Sequence, residues 1–270
     1  MPLLQTVKKR RSVRTFDGTP LKNEDLETLL AFAETADSPY GIPVSWKTLD
    51  AKKENLSCPV IVGTELYLAG KIRRAQHAEE AFGWTMKRVV LFAEEMGLGT
   101  TWIAGTFDRA AFEKAAGLAE NEAMPCVTPL GYPAEKMSLR EGLMRKGVKA
   151  DTRLPFETLF FRDGFAAPLT PEGAGPLKTA FECVRLAPSA VNKQPWRAVV
   201  CGEIIHFYEK RRAPGNAPKW DIQKVDLGIA MCHFSLALKE AGIGQCFSVA
   251  DPGIPTPPDT SYIATFTVEA

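Results

Sequence analysis

The sequence predicts an α+β protein of two related lobes, each a mainly antiparallel sheet flanked by helices. One observation is a repeated helix end, because LFAEEMGLGTTWI (Leu91–Ile103) is echoed by LALKEAGIGQCF (Leu236–Phe247). The other is a repeated helix, loop and Trp, in LLAFAETADSPYGIPVSW (Leu29–Trp46) and AFECVRLAPSAVNKQPW (Ala180–Trp196). Similarity at a nearly constant spacing, here about 145 to 150 residues, indicates an internal duplication.

The first lobe is expected to cover residues 1–163 and to be the fuller of the two. Apolar residues at helical spacing predict helices at 3–9, 23–36, 75–96 and 108–117. Apolar and β-branched runs predict strands at Pro59–Gly63, Thr100–Ala104 and Cys126–Tyr132.

A linker and a reduced second lobe are expected to follow. Glycine and proline dominate residues 164–176, which predicts the linker. In the second lobe, residues 177–270, the segment WRAVVCGEIIHFYEK predicts a hairpin that turns at Cys201 and Gly202. The remaining predicted elements are helices at 175–187 and 221–241 and strands at 245–249 and 261–268.

Composition excludes several classes of function. Lys and Arg number 33 and Asp and Glu 32, so the net charge of +1 does not support binding to nucleic acid or to a membrane surface. The six cysteines form no CxxC pair and the three histidines no HxxxH pair, so we expect no metal site. No secretory signal and no membrane-spanning run is evident, which predicts free thiols in a reducing cytoplasm.

A basic stretch, KKRRSVRTFDG (Lys8–Gly18), is the first candidate binding segment. If it is extended, Arg10, Ser12 and Arg14 point to the same side and form a site of phosphate size. Val13 and Phe16 can then pack inward. The alternatives are a solvated basic N-terminus or a nuclear-import patch.

The loop APSAVNKQPW (Ala187–Trp196) is the second candidate, with rigid corners and short hydrogen-bonding side chains suited to a flat polar ligand. Its counterpart in the first lobe, ADSPYGIPVSW, lacks the Asn and the Gln. Conversely, TPEGAGPLK precedes the first helix of the second lobe, where nothing equivalent to RRSVR is found. Each lobe carries what the other lacks, so we expect one complete site formed by both.

These motifs together resemble those of the FMN-dependent nitroreductases. The resemblance covers most of the chain and is carried by RRSVR, GLGTTWIAGTFD, PLGYPAEK and APSAVNKQPW. Typical members are homodimers with two FMN sites, each drawing on both protomers. This chain resembles a single-chain, two-lobed variant, which implies an internal pseudo-dimer that can act as a monomer. The motif losses predict one FMN per chain.

The resemblance also implies roles for individual residues. The FMN phosphate and ribityl end would be held by Arg10, Ser12 and Arg14, with Arg11 beside them. The segment KADTRLPFETLFF would return to the phosphate, which adds Arg153 and Lys149. A backbone N–H near flavin N5 would come from Ile103, Ala104 and Gly105. The isoalloxazine would be bordered by Pro188, Ser189, Ala190, Asn192 and Gln194.

The function implied is an FMN oxidoreductase that works by a ping-pong mechanism. NADH or NADPH would reduce the flavin, and an electron-poor acceptor such as a quinone or a nitroaromatic would reoxidise it. Flavin N5 would be the reactive centre, so no catalytic side chain is expected. The sequence has no GxGxxG fingerprint after a strand, which fits a nicotinamide that binds only transiently. The alternatives are a flavin-binding protein for storage or sensing, and a flavin reaction without nicotinamide, such as dehalogenation.

Other conspicuous residues are expected to be structural. The Gly-x-Gly pairs at 97–99 and 242–244 follow helices rather than strands, so they are helix ends and not nucleotide loops. Trp196 opens an apolar strand, and Cys232 and His233 lie in an apolar helical run. Core packing is therefore expected for all three.

Two features of the sequence each allow two interpretations. PLGYP (Pro129–Pro133) is interpreted as a strand end and turn, although the resemblance places it near the flavin. Lys193 is either solvated or in contact with flavin or substrate.

Overall fold

A computed structural model describes residues 1–211 and 220–269. The chain forms two compact units, called here the N-terminal unit (Lys8–Ala150) and the C-terminal unit (Met1–Val7 with Asp151–Ala270). Each unit combines helices with a mainly antiparallel sheet, which confirms the predicted α+β class.

The N-terminal unit is built on a small antiparallel sheet. Strand β2 pairs with β1 along its whole length and with β3 and β4 over shorter stretches. The strands are β1 (Val44–Asp50), β2 (Leu66–Arg73), β3 (Glu122–Ala123) and β4 (Val127–Pro129). The helices are α2 (Asn23–Thr35), α3 (Ala78–Glu95), α4 (Arg109–Ala115) and α5 (Leu139–Gly147), and α1 (Leu3–Lys9) spans the boundary between the two units.

In this unit, the predicted strands differ from the structure more than the predicted helices do. Pro59–Gly63 is not a strand but a turn, in which Val62 alone bridges to Thr15. Thr100–Ala104 forms single bridges rather than a ladder, whereas Cys126–Tyr132 does contain β4. The four predicted helices are confirmed within a few residues. Strands β1, β2 and β3 and the polar helix α5 were not predicted.

The C-terminal unit holds a six-stranded sheet in the order β6-β5-β7-β8-β10-β9. Strands β5 and β7 pair in parallel, and all other neighbours are antiparallel. The strands are β5 (Phe160–Arg162), β6 (Ala167–Pro168), β7 (Trp196–Cys201), β8 (Ile204–Lys210), β9 (Gln245–Ser248) and β10 (Thr260–Val268). The helices are α6 (Phe156–Leu159), α7 (Lys178–Arg185) and α8 (Ile222–Glu240), with short 3-10 turns at Gly175–Leu177 and Ala190–Asn192. The predicted hairpin, helices and strands of the second lobe are confirmed.

The segment 164–176, expected to be a linker, is part of the C-terminal unit. It contains β6, and its Leu169 is buried and donates its N–H to the carbonyl of Phe160 at 2.9 Å. The two compact units instead divide between Ala150 and Asp151. The N-terminal end of the chain also belongs to the C-terminal unit, where the N–H of Leu3 donates to Oε1 of Glu240 at 2.7 Å.

Both units share one order of elements. In each, a helix (α2 or α7) leads through a loop to a strand that begins with or contains Trp (β1 or β7), and a second strand (β2 or β8) leads to a long helix (α3 or α8). Strand β2 pairs with β1 and β4, as β8 pairs with β7 and β10. The repetition seen in the sequence is therefore a repetition of topology.

The two long helices also end in the same way. Gly97 after α3 and Gly242 after α8 adopt left-handed φ angles of 79° and 70°. In each case the residue after the glycine donates its N–H to a carbonyl five residues earlier, at 2.8 Å after Gly97 and 3.0 Å after Gly242. These are Schellman C-caps, so the Gly-x-Gly pairs are helix ends, as predicted.

The residues expected in the core are found there. Trp196, Cys232 and His233 are fully buried, and Nδ1 of His233 lies 2.6 Å from the carbonyl oxygen of Cys183.

All six cysteines are free thiols. Within the described residues, no helix is long and apolar enough to cross a membrane, and no group of three or more His, Cys, Asp or Glu could hold a metal ion.

Candidate functional site

The basic segment 10–16 is an extended strand-like stretch inside the N-terminal unit. Val13 donates its N–H to the carbonyl of Thr100 at 2.9 Å, and Phe16 donates to that of Val62 at 2.8 Å. Val13 and Phe16 are only 2% and 4% exposed, so they pack inward as predicted. The segment is therefore an ordered part of the unit and not a solvated basic tail.

A glycine allows this segment to lie so close to its neighbour. A Cβ at Gly99 would stand 2.9 Å from side-chain carbons of both Val13 and Phe16. Contacts that short do not occur between packed carbons, so any larger residue would displace the segment. The second glycine of the pair at 97–99 thus serves close packing rather than the helix cap.

A buried carboxylate organises the same segment. Glu141 of α5 accepts a 2.7 Å bond from Nη1 of Arg11, a 3.1 Å bond from the N–H of Arg14 and a 2.8 Å bond from the hydroxyl of Thr15. Its side chain is fully buried. Ser138 caps α5 by accepting the N–H of Glu141, so the first turn of the helix carries the carboxylate to the segment.

Arg11 is thus held in an ion pair, whereas the half-buried Arg14 has a guanidinium nitrogen that no group in the described part of the chain accepts. Nε of Arg14 is buried and has no hydrogen-bond partner among residues 1–211 and 220–269. Burial lowers the pKa of the Arg14 guanidinium, and the Glu141 carboxylate opposes that shift. Arg10 and Ser12 are half-buried and share the alternation of Arg14 along the extended chain. A buried donor without an acceptor fits an anionic ligand.

The predicted flavin-side stretch follows in the same unit. Ile103 is buried and pairs with Val127, whereas Gly105 is exposed. The carbonyl of Ala104 accepts a 2.6 Å bond from Nη2 of Arg109, whose Nη1 also binds the carbonyl of Met124 at 2.7 Å. Arg109 braces the turn from one side, a role that the sequence did not indicate.

The loop 187–196 of the C-terminal unit has an unusual backbone. Val191, Asn192 and Gln194 have φ angles of 44°, 58° and 51°, in the left-handed region that non-glycine residues rarely adopt. Each such residue costs roughly 1 kcal/mol or more unless its surroundings hold it. Part of the restraint is the N–H of Gln194, which donates to Oγ of Ser189 at 2.8 Å.

Two amide side chains in this loop hold the segment around Arg153. Asn192 donates to the carbonyl of Thr152 at 3.1 Å, and Oε1 of Gln194 accepts the N–H of Leu154 at 2.9 Å. Gln194 is only 3% exposed. The structure therefore brings Arg153 and the polar loop together, with the two amides fixing the backbone on both sides of the arginine.

A second buried acidic side chain holds the backbone of the loop. Asp226 of α8 accepts the N–H of Ala190 with both oxygens, each at 3.0 Å. Burial raises the pKa of Asp226 well above its usual range, although the bond from Ala190 works against that shift. A single Asp in the apolar run VDLGIAM gave no signal of this role in the sequence.

The last two predicted site residues are less constrained. Lys149 is exposed and follows α5 with a left-handed φ of 50°. It belongs to the N-terminal unit, whereas Arg153, four residues later, belongs to the C-terminal unit. Pro188 is half-buried at the start of the polar loop, and Lys193 is exposed.

The repeated α+β topology and the braced basic segment define a protein of the nitroreductase class. The sequence matches a family model described as "Putative TM nitroreductase" over residues 2–238. The chain therefore belongs to this nitroreductase family. Among curated proteins, none matches the sequence significantly.

A solved structure shows the same fold. The chain is similar to a protein from Thermotoga maritima described as a "putative nitroreductase", with a TM-score of 0.63 and 19% identity over 99% of this chain and 93% of that one. Two shorter matches have TM-scores of 0.42. One is an FMN-dependent nitroreductase from Clostridium difficile R20291, 18% identical over 52% of this chain and 94% of that one. The other is a nitroreductase with bound FMN from Bacteroides fragilis, 20% identical over 52% of this chain and 92% of that one.

Proposed function

We propose that this protein is an FMN-dependent oxidoreductase that passes electrons from NADH or NADPH to an electron-poor small molecule, a quinone or a nitroaromatic. Membership of the nitroreductase family supports the class of reaction. The observation that best supports FMN as the cofactor is the buried Nε of Arg14. This atom has no acceptor in the described chain and lies in a basic segment that is held by backbone hydrogen bonds.

The basic segment would bind the FMN phosphate. Arg14 and Arg10 supply charge-assisted donors, and Ser12 adds a hydroxyl on the same side of the strand. The neighbouring Arg11 is paired with Glu141, which offsets its charge, so it contributes rigidity more than a direct bond. Lys149 and Arg153 are further cations that we assign to the phosphate.

The polar loop would border the isoalloxazine ring. Pro188, Ser189 and Ala190 present a corner whose backbone is held by the carboxylate of Asp226. Asn192 and Gln194 act mainly through the backbone around Arg153, which they hold in place. We propose one FMN per chain, with a single chain sufficient for the site, acting in the reducing cytoplasm.

Bound FMN supplies the redox chemistry, with reduction by NAD(P)H and oxidation by the acceptor as separate half-reactions. The chain contributes binding and electrostatics. The N–H groups of Ala104 and Gly105 lie at a turn braced by Arg109 and are offered as donors to the reactive edge of the ring. A positive group near the ring would stabilise the negative charge that develops on reduction.

An absorption spectrum tests the proposal. We expect the purified protein to be yellow, or to become so on incubation with FMN, and to lose its visible absorbance anaerobically when NADH or NADPH is added. Addition of a quinone or a nitroaromatic should restore the colour without further protein. Protein that stays colourless and takes up no FMN would refute the proposal.

The same experiment separates the alternatives. FMN that binds tightly but is not reduced by either nicotinamide, and is inert to every acceptor, would indicate storage or sensing. Bound FMN that is reduced by ferredoxin but by neither nicotinamide would indicate a flavin reaction of another kind.

A further inference from the structure

We infer that Glu141 is a positioning residue for the phosphate half of the FMN site, an inference that rests on the proposed function. No residue of α5 figures in the motifs that carry the family resemblance. Nevertheless, the buried carboxylate of this helix holds the segment that carries Arg14.

The contacts of Glu141 fix both the backbone and the side chains of the segment. Its Oε2 accepts the N–H of Arg14 at 3.1 Å and the hydroxyl of Thr15 at 2.8 Å, and its Oε1 pairs with Arg11 at 2.7 Å. The hydroxyl of Thr15 lies 3.0 Å from that of Ser138, the N-cap of α5. Helix α5 and the basic segment are thus joined by hydrogen bonds, and these bonds fix the position of the Arg14 backbone.

A buried negative charge next to an anion site calls for an explanation. Coulomb's law alone says that a carboxylate near a phosphate weakens its binding, so removal of Glu141 should tighten it. The positioning role predicts the opposite sign, because Arg14 and its neighbours would lose their fixed geometry and would have to be ordered on binding. The sign of the change therefore decides between the two effects.

We expect Glu141→Ala to raise the Kd for FMN about tenfold or more. The Kd for riboflavin, which has the same ring and no phosphate, should change by less than about twofold. Glu141→Gln should fall between, because its amide oxygen can still accept the N–H of Arg14 but cannot pair with Arg11. Arg14→Ala serves as the reference, with a similar loss for FMN alone. Quenching of flavin fluorescence measures each Kd.

A matched control removes a different carboxylate from the same unit. Glu94 pairs with Lys9 at 3.4 Å, next to the segment in sequence, but has no bond to residues 11–15 in the described chain. Glu94→Gln should leave both flavin affinities unchanged. Thermal unfolding of each apoprotein shows whether a loss of affinity accompanies a loss of fold.

Four results would overturn the inference. FMN binding that becomes tighter in Glu141→Ala would show that charge, not position, is the dominant effect. Parallel losses for FMN and riboflavin with a lower Tm would show a purely structural role. If the wild-type protein binds FMN and Glu141→Ala does not change that affinity, the inference is refuted but the proposed function stands. If the wild-type protein binds neither flavin, both the proposed function and the inference are refuted.

Discussion

Two buried carboxylates, Glu141 and Asp226, each accept the backbone N–H of a residue predicted to contact FMN. Glu141 holds Arg14 in the N-terminal unit, and Asp226 holds Ala190 in the C-terminal unit. In both units, therefore, a buried acidic side chain holds the backbone of a residue that we propose to contact FMN.

Asp226 leads to a test of stability against pH. Burial raises the pKa of Asp226, so the folded protein binds this proton more tightly than the unfolded chain does. The stability of the wild-type protein should therefore fall as the pH rises from about 4 through the pKa of Asp226 in the folded state. Asp226→Asn keeps an acceptor for the N–H of Ala190 but cannot ionise. We therefore expect the Tm of the variant, relative to wild type, to increase between about pH 4 and about pH 8.

The pH series is its own control, because any packing cost of the amide is the same at every pH. Differential scanning calorimetry on both proteins in matched buffers measures the difference. A difference that stays constant, or that shrinks as the pH rises, would contradict the raised pKa.

At the scale of residues the sequence predicted the inward packing of Val13 and Phe16, but not the side chains that hold the basic segment and the polar loop. The alternation of Val13 with its basic neighbours was readable because an extended strand has a period of two. Glu141 had one readable signal, since Ser138 and Glu141 form the S-x-x-E pattern of a helix start, but the pattern does not say that the carboxylate turns to another segment. The contacts of Glu141 with the segment join residues more than a hundred positions apart in sequence.

At the scale of elements, helices were predictable and short strands were not. Helices such as α3 carry an apolar pattern over several turns and end in recognisable caps. PVIVG (Pro59–Gly63) has a strand-like composition but lies in a turn, with one bridge to Thr15. Only two of the seven residues of strand β1 are buried, and the strand mixes polar with apolar residues, so its pattern was too weak to predict.

Gly99 provides a test at this scale. Gly99→Ala would press a Cβ against Val13 and Phe16 at 2.9 Å, so we expect overpacking to cost about 1–3 kcal/mol of unfolding free energy. Gly142→Ala in α5 is the matched control, because a Cβ there meets nothing within 4 Å, and the helix should be unchanged or slightly more stable. Urea denaturation of both variants measures the difference. Equal stabilities for the two variants would show that the segment can move aside at no cost.

At the scale of the whole molecule, the duplication was visible in the sequence but the boundary was not. The two halves repeat the same order of helices and strands and the same Schellman caps. The boundary was expected at the Gly- and Pro-rich stretch 164–176, which instead contributes β6 to the sheet. Composition marks where the chain turns, whereas a unit is defined by which residues pack together.

The unequal halves lead to a prediction of stoichiometry. The loop before Trp46 has lost the Asn and Gln found before Trp196, and no basic segment precedes α7. We therefore expect saturation at about one FMN per chain. Flavin released by denaturation, measured against protein concentration, gives the ratio. Two FMN per chain would mean that the second half-sites are functional despite these losses.

The bond from Leu3 to Glu240 also has a consequence for biosynthesis. Residues 1–7 belong to the C-terminal unit, yet the ribosome makes them before the 143 residues of the N-terminal unit, Lys8–Ala150. Their partners in α8 are translated later still. The N-terminal unit can therefore fold during translation, while Leu3 can form its bond to Glu240 only after α8 has been made.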